Sequence, residues 1–161
     1  MNLDACQKLS DMLQDVGVAM LTTMAEDGTL RSRPMGVPKY EFEGELWFFT
    51  ADHTPKTDEL SEDERVNVAL NEPKNERYLS ISGRARVVKD AEKTQAMWSP
   101  TMKAWFPGGP DDPHLALLRI AVDHAEYWDA KGGKATVLAS MIKAAVTGTT
   151  PDQVGQHKKI M

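Results

Sequence analysis

A single cysteine, Cys6, among 161 residues excludes an intrachain disulfide, a CxxC redox pair and a thiolate-rich metal site. It falls in a helical pattern, where it reads as a small, half-buried residue. No apolar run approaches the ~18 residues needed to cross a bilayer. The opening Met1-Asn2-Leu3-Asp4 lacks the basic start and apolar core of a secretory signal, so a cytoplasmic location is expected. Positive charge is also scarce, with 19 Lys and Arg against 24 Asp and Glu and a formal charge of -5. The whole chain therefore repels a nucleic-acid backbone or an anionic membrane, and neither is an expected partner. An anionic small ligand needs a local basic pocket.

Several chemical signatures are missing as well. There is no GxGxxG before a helix, no GxxxxGK[ST], no GxSxG and no HExxH, which argues against a Rossmann site, a P-loop, a serine-nucleophile elbow and a zinc-peptidase helix. The four histidines, His53, His114, His124 and His157, are scattered. Asp52-His53 and Asp111-Asp112-Pro113-His114 could approach in space, where a hydrogen-bonded loop role is the plainer reading. No metal site is expected, and no side chain is identified as a catalytic acid or base.

Hydrophobic residues at 41% and charged residues at 27% supply the apolar surface that a disordered chain lacks. One domain over residues 1 to 146 is expected, followed by a mobile tail at 147 to 161 that carries little apolar material. Leu9, Met12, Leu13 and Val16 recur at helical spacing before Gly17, predicting a helix over residues 3 to 16. Short β-rich runs follow at 18–24, 30–37 and 45–50, divided by the turn signals Glu26-Asp27-Gly28 and Glu43-Gly44. Leu46-Trp47-Phe48-Phe49 shows no polar alternation, which predicts a strand covered on both faces, with a second subunit as one candidate cover.

Thr54 as N-cap and Pro55 at the first helical position predict a short helix through Asp63. Strands are expected at 66–70 and 77–88. In the latter, Leu79, Ile81, Gly83, Ala85 and Val87 share the inward parity, and Gly83 is suited to a bend in a small barrel. Asp90 caps a helix that ends before Pro100. Trp105 to Pro110 forms a rigid aromatic loop, 115–122 and 125–128 supply the last strand or strand pair, and 134–146 favours a terminal helix.

The candidate pocket combines the basic strand Arg31-Ser32-Arg33-Pro34-Met35, the aromatic strand ending at Thr50, and the helix start Thr54-Pro55-Lys56. A phosphate there would meet unpaired N–H groups and the positive end of the peptide dipoles, with Lys56 or Arg33 adding full charge. Taken singly, each part has a plainer reading: a solvated Lys56, an exposed Arg33, a Thr54 that caps only its own helix. Trp98, Trp105, Phe106 and Trp128 offer flat surfaces for a planar ring, or core and interface packing.

These residues together carry a resemblance. Arg33-Pro34-Met35, Leu46-Trp47-Phe48-Phe49-Thr50 with Lys56, Ser80-Ile81-Ser82-Gly83-Arg84-Ala85, Trp98-Ser99-Pro100, Trp105-Phe106-Pro107 and Glu126-Tyr127-Trp128-Asp129 stand in an order and spacing like those of a known family. From residue 3 to 146 the chain resembles the general-stress-protein branch of the pyridoxamine-phosphate-oxidase-related split-barrel proteins, which bind flavin mononucleotide (FMN). The resemblance implies a mainly β, split-barrel fold with peripheral helices and a homodimer holding flavin at the subunit interface. It implies that Arg33 and Lys56 contact the flavin phosphate, with Thr50 and Thr54 hydrogen-bonding nearby. Met35 and Gly36 would lie beside the ring, and Trp98 or Trp105 would shape the pocket from the partner subunit.

FMN is favoured, with the adenine dinucleotide (FAD) left open. Pro55 stands where the oxidases themselves carry a basic residue, and their C-terminal arginine-x-histidine signature is absent, which argues against oxidation of vitamin B6. Three readings stay open at this point: a flavin oxidoreductase passing hydride from a reduced donor to a small acceptor, a non-catalytic flavin-binding, sensing or storage module, and a cofactor-free barrel.

Overall fold

A computed structural model describes residues 3–74, 76–129 and 156–159. Helix α1 (Leu3–Asp15) precedes the hairpin of β1 (Val18–Met24) and β2 (Leu30–Gly36), then β3 (Glu45–Ala51) and helix α2 (Pro55–Glu62). Strands β4 (Arg65–Glu72) and β5 (Arg77–Val88) follow, then helix α3 (Ala91–Met97), two 3-10 turns at Pro100–Ala104 and Gly109–Asp111, and strands β6 (Leu115–Asp129) and β7 (Gln156–Lys159). The strand order is β2-β1-β4-β5-β6-β3, with β7 against β6 and every pairing antiparallel. The sheet curls into a split β-barrel with helices at its periphery, as expected from the sequence.

Alternation along the strands fills the barrel. Leu79, Ile81 and Ala85 of β5 are buried with Leu21, Val68, Leu118 and Ile120, while Arg84 and Arg86 face outward. The inward parity ends at Ala85. Val87 is exposed, because β4 pairs with β5 only as far as Arg84 and gives no cover beyond it. Helix α1 closes one end of this core with Leu9, Met12 and Leu13, joined by Val16 just beyond its last residue.

Both faces of β3 are covered. Leu46 and Phe48 enter the main core, and Trp47 and Phe49 meet a second cluster with Met97, Phe106, Leu115 and Leu117. The second cover, for which another subunit was one candidate, comes within the chain from α3, the loop that follows it and the start of β6. Charged side chains seal its rim: Lys93 stands over the Trp47 ring at 5.2 Å and Arg119 at 5.8 Å. The Tyr40 hydroxyl accepts the Trp47 N–H at 2.8 Å, and burial pushes its pKa up to about 12.

Strand β6 is one continuous element with a register shift against β5 between Ser82 and Gly83, rather than two strands. Strand β3 occupies its other edge only from Leu115 to Ala121, leaving the rest open. There Glu126–Asp129 pairs with Gln156–Lys159, four residues within the segment expected to be a tail. The helix expected over 134–146 lies outside the described residues.

At the end of α2 the Asp63 carboxylate accepts the backbone N–H of Arg65 at 2.9 Å and pairs with its guanidinium at 2.5 Å. Those hydrogen bonds pull its pKa from 3.8 to about 2. Because the folded-state value is depressed, any stability this pair contributes is present above the unfolded pKa and is lost as pH falls toward 2. An NMR titration should give Asp63 a midpoint of about 2, moving back toward its ordinary value in Arg65→Ala. An unmoved midpoint would show that the guanidinium is not its cause.

Candidate functional site

Strands β2 and β3 are the two ends of the strand order, and the gap between them is where the barrel splits. A groove of about 530 Å³ opens here. Met35 and Gly36 of β2 form one wall with Val18 and Pro34, and Phe49, Thr50 and Ala51 of β3 form the other. Met102, Trp105 and Phe106, from the 3-10 turn and the loop after it, complete the lining. Among the described residues of the lining, Lys56 of α2 is the one ionisable side chain.

Pro55 at the first helical position brings Lys56 into the first turn of α2. The Thr57 hydroxyl accepts the Thr54 N–H at 2.8 Å and donates to the Thr54 carbonyl at 2.7 Å, fixing that turn. Among the described residues Lys56 has no carboxylate partner, and burial, then the nearby charge of Arg33, lowers its pKa. An apolar slot therefore has a single half-buried ammonium within it, an arrangement that favours a planar, apolar ligand carrying an anionic group.

Of the residues expected from the sequence, Met35, Gly36, Thr50, Lys56 and Trp105 meet in this groove. Trp105 stands on its rim with 79% of its surface exposed. Thr54 caps α2 beside it and is not part of the lining. Trp98 packs edge-on against Phe49, with ring centroids 5.9 Å apart, behind the wall of β3.

Arg33 is engaged inside the protein. Its guanidinium donates to Glu59 of α2 at 2.8 Å and to the Thr23 hydroxyl at 2.5 Å, and Thr23 donates in turn to Glu59 at 2.5 Å. Arg31 reaches the same carboxylate at 3.4 Å. Burial pushes the Glu59 pKa up, but the hydrogen bonds from Thr23 and Arg33 and the two guanidinium charges outweigh it and hold the group ionised. Sequence reasoning missed Thr23 and Glu59, since one lies in an ordinary strand and the other in a run of surface-like acids. Their signal was the placement of Thr23 opposite Arg31 in the β-hairpin and of Glu59 one turn beyond Lys56. Met102 was also missed; only the helix-breaking Pro100 marked its turn.

The Asp52 and His114 segments do approach. Asp52 pairs with Lys89 at 2.8 Å and faces His114 Nδ1 at 3.4 Å, while its backbone N–H donates to the His114 carbonyl at 2.9 Å. These contacts tie the end of β3 to the start of β6. Among the described residues no group of three or more His, Cys, Asp or Glu is placed to hold a metal. Nor is any described helix long and apolar enough to cross a membrane.

Residues 4–152 match the family described as "Pyridoxamine 5'-phosphate oxidase like". The chain belongs to this pyridoxamine 5'-phosphate oxidase-like family. General stress protein 26 of Bacillus subtilis is 30% identical over 132 residues, covering 79% of this chain and 90% of that protein. Protein bli-3 of Neurospora crassa is 29% identical over 162 residues, covering 94% and 77%. Among solved structures, the general stress FMN/FAD binding protein of Xanthomonas citri superposes with a TM-score of 0.70 at 31% identity, covering 82% of this chain and 93% of that one. A Jannaschia sp. CCS1 protein described as a general stress protein 26 reaches a TM-score of 0.76 at 28% identity over 99% of each chain. Family membership brings with it the split barrel and supports a general flavin-binding role.

Proposed function

We propose that this chain binds FMN in the groove between β2 and β3, as a homodimer that encloses the flavin at the subunit interface, and works as an FMN-dependent oxidoreductase in a stress-response setting. The observation that carries this reading is the half-buried ammonium of Lys56, without a carboxylate partner among the described residues, within a mainly apolar slot. Met35, Phe49 and Phe106 are suited to hold the ring, with Gly36 and Thr50 on the walls beside it and Trp105 at the rim. Lys56 and the remaining donors of Arg33 are suited to hold the phosphate, with Thr54 at the adjoining helix start.

Exposed Val18 and Trp105 at the groove leave apolar surface that a second copy of the chain would cover. The name of the Xanthomonas citri protein supports a flavin, either FMN or FAD, and the general-stress names of the relatives support the setting. Pyridoxamine phosphate is not the substrate in this reading.

When bound, the flavin supplies hydride transfer between a reduced donor and a small acceptor. The chain's own part is to bind the cofactor, orient it and exclude water. Among the described residues the groove lining offers no acid or base besides Lys56, and this favours a second reading, a flavin-binding or storage module without turnover.

Purified protein should be yellow, or become so on titration with FMN, and should elute as a dimer. Oxidation of a reduced nicotinamide in the presence of an acceptor separates the enzyme from the module. Protein that stays colourless and monomeric in excess flavin would end the proposal.

A further inference from the structure

The buried carboxylate of Glu59 lines no wall of the groove; it pairs with Arg33 at 2.8 Å from the same helix that carries Lys56. We propose that Glu59 and Thr23 are positioning residues for Arg33, holding its guanidinium so that its unspent N–H groups face the phosphate site beside Lys56. This inference rests on the flavin-phosphate reading above.

A guanidinium has five N–H donors. Here one goes to Thr23 and one to Glu59, leaving three that these bonds do not use. The side chain comes from β2, an edge strand, and without a tether it would sample many rotamers in solvent. The tether is rigid: Thr23 is 1% exposed and Glu59 9%, and the two are themselves hydrogen-bonded at 2.5 Å. Three elements, β1, β2 and α2, thus meet at one guanidinium, which lies close enough to Lys56 to depress the lysine's pKa. Glu59 also offsets part of the repulsion between Arg31, Arg33 and Lys56 before an anion arrives.

Two effects of removing the Glu59 charge oppose each other. Loss of the tether costs oriented, charge-assisted hydrogen bonds, whereas loss of the negative charge raises the local positive potential. The first dominates, because hydrogen-bond geometry acts at contact while the potential is screened at the partly exposed groove.

The test compares FMN with riboflavin, which lacks the phosphate, in the wild type, Glu59→Gln and Thr23→Val. Each variant should weaken FMN binding by about tenfold and leave riboflavin within about twofold. Glu59→Gln in an Arg33→Ala background should cost nothing further. Equal losses for both flavins would reduce Glu59 to a structural role, and tighter FMN binding would make it a competitor of the phosphate; either result overturns the proposal. A wild type that binds both flavins alike, or neither, defeats the phosphate reading instead. In that case NMR of the ligand-free protein still decides on Glu59: separate, slowly exchanging Arg33 guanidinium signals that collapse in Glu59→Gln support the tether, and signals unaffected by the substitution overturn it.

Discussion

Replacing Lys56 with alanine should weaken FMN binding by about 10- to 150-fold, the loss of a charge-assisted contact worth about 1.5–3 kcal/mol. Riboflavin should bind the variant and the wild type alike, because no phosphate is present to lose its partner. The pH dependence carries the sharper signature. In the free protein burial and Arg33 lower the Lys56 pKa, and a bound phosphate raises it again by supplying the missing counter-charge.

Binding therefore takes up a proton between the free and bound values. FMN affinity is full below the free-protein pKa and falls as pH rises through it, until the bound value is passed. At the acid end, protonation of the phosphate below about pH 6 weakens binding independently. Lys56→Arg, whose charge persists across this range, should flatten the alkaline limb while keeping much of the affinity. An alkaline limb unchanged in Lys56→Ala would remove this residue from the phosphate site.

What the sequence made legible was what local pattern determines. The alternation of Leu79, Ile81 and Ala85 located the clearest strand, and Thr54-Pro55 located the start of α2, because each rests on neighbours along the chain. Meeting points between distant segments were harder. Arg33 and Lys56 were recognisable as two cations of one site through the family pattern, but the carboxylate bound to Arg33 was not. Glu59 is 26 residues from Arg33 and stands in an acidic run whose other members are solvent-facing or only partly covered.

The aromatic strand β3 shows the same limit. Its continuous apolar run correctly demanded two covers, yet periodicity names no partner, and the second cover was supplied by Met97 and Phe106, about 50 to 60 residues downstream. The pairing of residues 156–159 with β6 had no hydrophobic signal, because backbone hydrogen bonds to an open strand edge require none.

The fold itself should fail most sharply at Gly83. Its α-carbon lies where β6 shifts register, and an added Cβ would stand 2.3 Å from the Ala121 carbonyl oxygen and 3.0 Å from the Ile120 side chain. The first obstacle is backbone, so no rotamer change relieves it, and β5 and β6 must separate at the centre of their pairing. The inward position leaves no exit to solvent, since Ile81 and Ala85 on either side are fully buried.

Overpacking of this kind costs about 3 kcal/mol. Gly83→Ala should therefore lower Tm by roughly 10 °C in a chain of this size. Gly17→Ala is the matched control, because an added Cβ there meets nothing within 4 Å. Thermal unfolding of the two variants side by side decides the matter: equal stability would mean that β6 can yield at Ala121 without cost, and that the glycine is not required by the close approach of the strands.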